Sequence, residues 1–308
     1  MIPDEELEKK IAVVFAKLHI NAPFLLGKGG EGWVYEYGND VLKVYTRNSD
    51  IQYLQNIQMF QSVLSKHTFS FDIPKIFEVG EVNGVLYTVE KRLHGIPMDK
   101  KIIGMSTKDR QKLYRSYYDA IREVNAVMFP EAPYGQIIKT NESITSDSWT
   151  NFLIRILDQK VTKTGDTMRV AISDFDNKVT LLKSLIQRYL PSDQKSLVHC
   201  DYFINNVLVD DNLKISAVLD FSVHAAVGDP RLDIAGVLTW NGIDHNVNPE
   251  DYSFLYDIAK KDYGEEIIMY EDLYLLFSSF YFADMDDPSF SVKNLNNGIL
   301  WSKYRDSK

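Results

Sequence analysis

The sequence predicts an α+β fold with two lobes, a small N-terminal lobe built on an antiparallel sheet and a larger, mostly helical C-terminal lobe. Residues 24–92 are rich in β-branched and aromatic residues broken by glycine-containing turns, whereas the residues after Pro97 repeat apolar positions at helical spacing. The short segment 91–97 separates the two patterns, so the predicted lobes are residues 1–93 and 94–308. A cleft between two lobes is a common place for a ligand site.

In the small lobe, one helix precedes the sheet and a second interrupts it. Residues 4–18 carry apolar side chains three and four positions apart, which predicts an N-terminal helix. Residues 24–45 have the alternation and turn residues of a β-hairpin. Residues 50–65 return to helical spacing, and residues 76–82 and 85–92 then predict two further strands.

In the large lobe, the pattern is helical except for one cluster of short strands. Helices are predicted over residues 107–128, 147–158, 169–189, 229–240, 250–262, 265–283 and 288–304. The strand cluster comprises residues 197–199, 206–209 and 215–221.

Composition narrows the class of protein. The chain has 308 residues, 45% of them hydrophobic, which suffices for a large core. No uncharged apolar run approaches the roughly 18 residues of a membrane span, and the acidic start at residues 1–6 does not resemble a secretory signal. We therefore expect a cytoplasmic protein without a membrane partner. Cys200 is the single cysteine, which excludes an intramolecular disulfide, and a small loop residue is the expected role for it.

Charge is distributed unevenly along the chain. The net charge is −9, and residues 196–308 carry 19 Asp and Glu against 8 Lys and Arg, a local net charge of −11. An acidic half repels phosphate backbones and attracts cations, so we expect a cationic small molecule as partner and no nucleic acid. A solvated acidic surface is the alternative. No protein partner is evident.

A glycine-rich segment, GKGGEGWV at residues 27–34, fits the pattern G-x-G-x-x-G-x-V. Its fixed positions are Gly27, Gly29, Gly32 and Val34. Between two strands, such a loop lets the backbone approach phosphate groups without obstruction by side chains. Lys43 lies on the next predicted strand, where its ammonium group would hold the α- and β-phosphates of a nucleotide. A structural hairpin turn and a surface lysine are the alternatives.

A second motif has the form H-x-D-x-x-x-x-N, with His199, Asp201 and Asn206 at its fixed positions. Asp201 would orient an acceptor hydroxyl group and take its proton, and the side-chain carbonyl of Asn206 would bind Mg²⁺. Asp220 follows the apolar strand 215–219, where a carboxylate is costly to bury unless it binds a cation. We therefore expect Asp220 to be the principal Mg²⁺ ligand. A structural hairpin with capping side chains is the alternative.

Residues 199–240, including GDPRLDIA at 228–235, resemble the catalytic core of the aminoglycoside phosphotransferase family, and the order of motifs over residues 24–240 fits that family as well. The resemblance implies a protein-kinase-like fold. It also implies transfer of the γ-phosphoryl group of ATP, or GTP, with Mg²⁺ to a hydroxyl group of a small molecule, foremost an aminoglycoside antibiotic. The wording of residues 147–152 and 198–209 most resembles the hygromycin-type phosphotransferases.

The resemblance also implies roles for single residues. Lys43 resembles the phosphate-holding lysine, Asp201 the catalytic base, Asn206 and Asp220 the metal ligands, and His199 the histidine that anchors the loop. The adenine would be held by backbone groups of the connection between the lobes, at Glu90, Arg92 and Leu93. Asp229 and Asp233 resemble structural acids of the family, and Asp229 followed by Pro230 independently predicts a helix N-cap.

The chain departs from the family's pattern where the lysine usually pairs with a helix glutamate. Residues 51–65 contain no acid, so we expect Asp50 or a glutamine amide to contact Lys43 instead. Ser222 also stands where protein kinases have glycine. Three functions remain open: an aminoglycoside phosphotransferase, a kinase of another hydroxylated metabolite (sugar, choline-like amine, thioribose or macrolide), and a non-catalytic nucleotide-binding regulatory protein.

A group of acids on the predicted C-terminal helices is the expected source of affinity for a cationic substrate, with Trp240 and other aromatic residues among them. The group comprises Asp244, Glu250, Asp251, Asp257, Asp262, Glu265, Glu266, Glu271, Asp272, Asp284, Asp286 and Asp287. His224 and His245 have no partner at metal-ligand spacing, so structural or surface roles are expected for them.

Overall fold

The computed structural model describes residues 4–46, 50–243, 248–283 and 288–304. Antiparallel strands dominate its first part and helices its remainder, so the predicted two-lobed α+β class is confirmed. The boundary at residues 93 and 94 remains a prediction. None of the described helices is both long and apolar enough to cross a membrane.

The small lobe is one five-stranded antiparallel sheet with two helices. Its strands are β1 (Leu25–Lys28), β2 (Gly32–Tyr37), β3 (Asp40–Tyr45), β4 (Ile76–Val82) and β5 (Val85–Lys91), in the order β1-β2-β3-β5-β4. The helices are α1 (Asp4–Lys17) and α2 (Ile51–Leu64). Helix α1 buries Ile11 and Val14 against Leu42 and Val44 of the sheet, as its apolar spacing predicts.

Helix α2 packs on both lobes. Leu54 lies in a small cluster with Tyr45 and Leu86 of the sheet. Phe60 and Leu64, farther along the helix, belong instead to the core of the large lobe. The helix therefore links the sheet to the large lobe through apolar contacts on both sides.

The large lobe combines nine α-helices among the described residues with two small antiparallel sheets. The helices are α3 (Met98–Lys101), α4 (Thr107–Asn125), α5 (Trp149–Ala171), α6 (Phe175–Tyr189), α7 (Arg231–Ile243), α8 (Pro249–Tyr263), α9 (Glu266–Tyr281), α10 (Ser289–Leu295) and α11 (Gly298–Ser302). The strands are β6 (Ile96–Pro97), β7 (Tyr134–Gln136), β8 (Thr145–Ser146), β9 (Ser196–Val198), β10 (Val207–Val209), β11 (Ile215–Val218) and β12 (Ala226–Gly228), ordered β11-β10-β6 and β8-β7-β12-β9.

Three differences from the predicted elements have physical reasons. Helix α5 continues past the expected end at residue 158, because packing buries Gly165 within it despite glycine's low helix propensity. The expected helix 288–304 is two short helices, and the Asn297 side chain caps the second one. Strands β7, β8 and β12 were not expected, because two or three residues carry no detectable alternation.

Candidate active site

Asp233, in the first turn of α7, anchors the loop of residues 199–206. One carboxylate oxygen of Asp233 accepts from the backbone N–H of His199 and the other from that of Cys200, both at 2.8 Å. The Asn125 side chain of α4 donates to the same carboxylate at 2.8 Å. Three charge-assisted hydrogen bonds therefore fix the start of the loop on two helices. They hold Cys200 at a φ of 63°, a conformation that a non-glycine residue adopts at a cost.

The buried ring of His199 links the two halves of the site. Burial lowers the pKa of His199, so the ring is neutral at pH 7. Its Nε2 lies 2.8 Å from the carbonyl oxygen of Leu219, and the backbone N–H of Asp201 donates to its Nδ1 at 3.3 Å. Nε2 must therefore carry the proton and donate to Leu219. One ring thus positions Asp201 and the residue before Asp220 at the same time.

Asp201 and Asn206 face each other across the loop. The amide nitrogen of Asn206 donates to the backbone carbonyl of Asp201 at 2.9 Å and lies 3.4 Å from its carboxylate. Burial, and next the charge of Asp220, raise the pKa of Asp201 to about 7. Its carboxylate can therefore exchange a proton near neutral pH.

Asp220 follows β11 and has a φ of 56°. Burial raises the pKa of this carboxyl group, the charge of Glu31 raises it further, and Lys43 opposes both effects. A carboxylate that is disfavoured by burial and by the charge of Glu31, on a backbone with positive φ, is one that a bound cation would stabilise.

Asp220 and Asn206 together suit a divalent cation with hard oxygen ligands. The amide nitrogen of Asn206 donates to Asp201, so the side-chain carbonyl oxygen of Asn206 is the atom that can bind a metal ion. In the described ranges, no three His, Cys, Asp or Glu side chains converge as a metal site. A Mg²⁺ ion held by Asp220 and Asn206 would therefore complete its shell with phosphate oxygens and water.

The glycine-rich segment forms the turn between β1 and β2, which we call the glycine turn. The backbone N–H of Gly29 donates to the carbonyl of Gly32 at 2.8 Å and closes the turn. A Cβ atom on Gly32 would lie 2.4 Å from the Val44 carbonyl oxygen, whereas one on Gly27 would meet nothing within 4 Å. Gly32 is thus required by the sheet, and the open space over Gly27 can admit a ligand. Val34 pairs with both Gly27 and Lys43 in the sheet.

Lys43 points from β3 toward the same space and pairs with an acid inside the glycine turn. Its Nζ lies 2.6 Å from Oε2 of Glu31. Burial alone would lower the pKa of Lys43, but Tyr45, Glu31 and Glu90 together raise it above its ordinary value. The expectation that Asp50 or a helix amide contacts Lys43 is wrong. Asp50 caps α2 by accepting from the Gln52 backbone.

Two charged side chains of the connection between the lobes, Lys91 and Arg92, pair with acids outside the group around Lys43, whereas Glu90 stays close enough to Lys43 to raise its pKa. Arg92 Nη1 lies 2.6 Å from Glu36 Oε1 on β2, and Lys91 pairs with Asp72. Glu90 accepts from the Thr88 hydroxyl, and Leu93 is half-buried. The structure brings Lys43, His199, Asp201, Asn206 and Asp220 together, whereas the side chain of Arg92 lies outside that group.

A cavity of about 1050 Å³ borders the 199–206 loop on the side of Phe203 and Trp240, between α3, α4, α7 and α8. Three side-chain oxygens of its lining residues have no hydrogen-bond partner among the described residues, namely Asp99 Oδ1, Asn241 Oδ1 and Asp251 Oδ1. Asn241 and Asp251 are only 4% and 1% exposed. All three atoms are acceptors, but each is buried, so the exposed polar side chains of the lining, such as Asn205 and Asn248, are the groups that a ligand in the cavity would meet.

The acidic group expected to attract a cationic substrate is mostly paired within the protein. Arg122 contacts Asp262, Lys260 contacts Glu265, Arg231 contacts Glu266 and Lys303 contacts Asp272. Of the described members, Asp251 alone lines the large cavity, and it pairs there with Arg110 at 2.6 Å. Asp244, His245, Asp284, Asp286 and Asp287 lie outside the described residues.

Glu31, Asp99 and Asn241 were missed in the sequence. An acid is unusual in a loop that is expected to contact phosphates, and this could have identified Glu31 as a candidate site residue in the sequence. Asp99 and Asn241 carry no local signal, because their position depends on how α3 and α7 pack around the cavity. His224 contacts the hydroxyl group of Tyr281 beside a smaller apolar pocket, in keeping with the expected structural role.

The chain is similar to known proteins in sequence pattern and in fold. The model of the phosphotransferase enzyme family matches residues 19–263. No curated protein sequence matches the chain. Among solved structures, a thermostable mutant of aminoglycoside phosphotransferase APH(4)-Ia, in a ternary complex with AMP-PNP and hygromycin B, has a TM-score of 0.67 and 17% identity over 94% of this chain and 97% of that one.

Two further solved structures have similar scores. ADP-bound aminoglycoside phosphotransferase APH(2'')-Ib has a TM-score of 0.61 and 16% identity over 93% of this chain and 95% of that one. A candidate fructosamine-3-kinase from Haemophilus somnus 129PT has a TM-score of 0.60 and 17% identity over 94% and 96%. At these identities the likeness shows the fold alone. Because the family model spans most of the sequence, the chain belongs to the phosphotransferase enzyme family and has its protein-kinase-like fold.

Proposed function

We propose that the protein transfers the γ-phosphoryl group of a Mg²⁺-bound nucleoside triphosphate, ATP or GTP, to a hydroxyl group of a small molecule, with aminoglycosides as the foremost acceptor class. The observation that carries the proposal is the convergence of Asp201, Asn206, Asp220 and Lys43 beneath the glycine turn. AMP-PNP and ADP in two of the similar structures support a nucleotide as donor.

Asp201 is the proposed base. Its carboxylate would accept a hydrogen bond from the acceptor hydroxyl and take the proton as the oxygen bonds to the γ-phosphorus and the nucleoside diphosphate leaves. The raised pKa of Asp201 supports this role, because a base that titrates near neutral pH is efficient there. His199 would keep the Asp201 backbone in place through Nδ1 without transferring a proton itself.

Lys43 would hold the α- and β-phosphates, and Gly27, Gly29 and Gly32 would let the backbone approach them. Asp220 and Asn206 would bind Mg²⁺, which supplies positive charge to the phosphate oxygens when bound. The remaining catalytic contribution is positioning, since phosphoryl transfer needs the two oxygens in line.

The 1050 Å³ cavity is the proposed acceptor site. It borders the residues that follow Asp201, and the exposed side chains of Asn205 and Asn248 in its lining would bind hydroxyl or ammonium groups. Trp240 would support the face of a sugar or cyclitol ring. An aminoglycoside, which carries many such donors, fits this chemistry.

A kinase of a neutral sugar or sugar amine is the second candidate. Each carboxylate of the cavity already pairs with a cation, Asp99 with Lys100 at 3.0 Å and Asp251 with Arg110 at 2.6 Å. Among the described lining residues, no carboxylate is therefore left without a cation, which supports a neutral acceptor. The likeness to a candidate fructosamine-3-kinase is in keeping with such an acceptor.

A coupled assay of ADP release with MgATP tests the proposal. The panel contains several aminoglycosides, choline, simple sugars, a ketoamine sugar, thioribose and a macrolide. We expect one acceptor class to stimulate release, and Asp201→Ala and Asp220→Ala to abolish most of it, with weaker binding of Mg²⁺-nucleotide in the second variant. Asp211→Ala, which removes a fully exposed acid from the neighbouring turn, is the matched control.

The outcomes separate the three functions. Stimulation by an aminoglycoside supports the first candidate, and stimulation by a sugar or ketoamine alone supports the second. Nucleotide binding without turnover across the panel would favour a non-catalytic protein. Turnover in Asp201→Ala equal to that of the wild type would refute Asp201 as the base.

The cavity needs its own test. Asn205→Leu should raise the KM of the acceptor while the KM of the nucleotide stays the same, since it removes an exposed polar side chain of the proposed acceptor site. Asp257→Asn, on an exposed face of α8, serves as the control. A rise in nucleotide KM alone would argue against this location.

A further inference from the structure

The acid that contacts Lys43 is carried by the glycine turn itself. The Nζ of Lys43 and Oε2 of Glu31 are 2.6 Å apart, while the side chains are 24% and 52% exposed. The backbone of Glu31 is also tied to the strand of Lys43, because its carbonyl oxygen accepts from the N–H of Thr46 at 3.0 Å. The contact therefore rests on a fixed backbone and not only on a flexible side chain.

Three of the four glutamines of α2 are engaged elsewhere. Buried Gln61 accepts from the backbone N–H of Ile76 at 2.8 Å, and Gln58 donates to the carbonyl of Phe77 at 3.1 Å. Gln52 donates to Asn56, one turn along the same helix. The contacts of Gln58 and Gln61 attach α2 to β4, and the side-chain partner of Lys43 is Glu31.

The carboxylate of Glu31 also lies close to the proposed metal site. Its charge contributes to the raised pKa values of Asp220 and of Tyr53 on α2, after the larger effect of burial. Glu31 thus contacts Lys43 directly and acts on Asp220 through its charge.

We propose that Glu31 is the positioning residue for Lys43, so that the conformation of the glycine turn determines the orientation of the phosphate-holding lysine. The inference rests on the proposed function of Lys43. A lysine ammonium on a four-carbon stem is mobile, and a fixed carboxylate selects the rotamer that points into the cleft. Its three N–H donors allow Lys43 to remain with Glu31 while it contacts phosphate oxygens.

The test compares Glu31→Gln with Glu31→Asp and with Glu81→Gln, a control that removes one acid from an exposed position of the same sheet. Loss of a charge-assisted hydrogen bond predicts a fall of about tenfold in kcat/KM for the nucleotide in Glu31→Gln. The KM of the acceptor should stay the same, Glu31→Asp should retain part of the activity, and Glu81→Gln should match the wild type.

A second measurement reports the contact without any turnover. The nucleotide-free protein is treated with a limiting amount of an amine-reactive acylating reagent, and mass spectrometry measures the labelling of Lys43. Labelling should be severalfold faster in Glu31→Gln than in Glu81→Gln, because the Lys43 amine has lost its carboxylate partner. Equal labelling of the two variants would overturn the proposal.

The kinetic results are equally decisive. Glu31→Gln with unchanged or raised kcat/KM would overturn the proposal, and a raised value would identify Glu31 as a competitor of the phosphates. A wild type that turns over no acceptor refutes the proposed function, and the labelling experiment then decides on the contact between Glu31 and Lys43 by itself.

Discussion

Replacement of Asp201 by asparagine should stabilise the metal-free protein while it removes activity. Burial, and next the charge of Asp220, raise the pKa of Asp201 from its ordinary 3.8 to about 7 in the folded protein. The folded state therefore binds this proton more tightly than the unfolded chain does. The stability that the proton contributes is complete below pH 3.8 and is lost as the pH rises to 7. A difference of about three pKa units corresponds to about 4 kcal/mol at most.

The side-chain amide of the Asp201→Asn variant cannot be ionised, so the gain in free energy of unfolding should grow with pH. Relative to the wild type, the variant should gain about 2 kcal/mol at about pH 5 and about 4 kcal/mol at about pH 8, with no further rise above that pH. Urea unfolding of both proteins in EDTA at about pH 5, 6, 7 and 8 measures the gain. The exposed control Asp211→Asn should show no such trend. A gain that is constant, or that falls as the pH rises, would refute the assignment of Asp201 as a buried carboxylate with a raised pKa.

Three further predictions concern the supports of the site. Asp233→Asn should lower the free energy of unfolding by about 2–4 kcal/mol and reduce kcat, because one charged acceptor serves three buried donors; urea unfolding and steady-state kinetics measure both effects. Gly32→Ala should destabilise the sheet by at least about 1–3 kcal/mol through its clash with Val44, whereas Gly27→Ala should leave the melting temperature unchanged; thermal unfolding compares them. Asp220→Asn should bind Mg²⁺-nucleotide at least about tenfold more weakly, as measured by calorimetry with and without Mg²⁺. An equal loss of affinity under both conditions would refute the role of Asp220 as a Mg²⁺ ligand.

The loop chemistry could be predicted from the sequence because its information is local. His199, Asp201 and Asn206 lie within eight residues, and the fixed spacing of the motif predicts their roles without knowledge of the fold. The glycine turn and the strand of Lys43 are local in the same way. The helix N-cap at Asp229 follows from its own two neighbours, and its carboxylate accepts from the backbone N–H of Arg231 at 2.9 Å.

What could not be predicted depends on contacts between distant segments. Arg110 neutralises Asp251 across 141 residues of sequence, so an acid counted as available for a cation is already paired. The contact between Glu31 and Lys43 requires the curvature of the β1–β2 turn, which no residue pattern specifies. Strand β12 pairs with β7 and β9, and β7 and β12 are each too short to be recognised in the sequence, although β9 was expected.

Helix α2 has a consequence for how this chain can be divided. A fragment that ended at residue 93 would expose Phe60 and Leu64 to water, since both side chains are buried in the core of the other lobe. Such a fragment should aggregate or stay partly unfolded, and the intact chain should unfold in one cooperative transition. If the two lobes move apart, the chain should bend between α2 and the sheet, at the small cluster around Leu54. A chimera with a relative would have to exchange α2 together with the residues of the large lobe that bury Phe60 and Leu64.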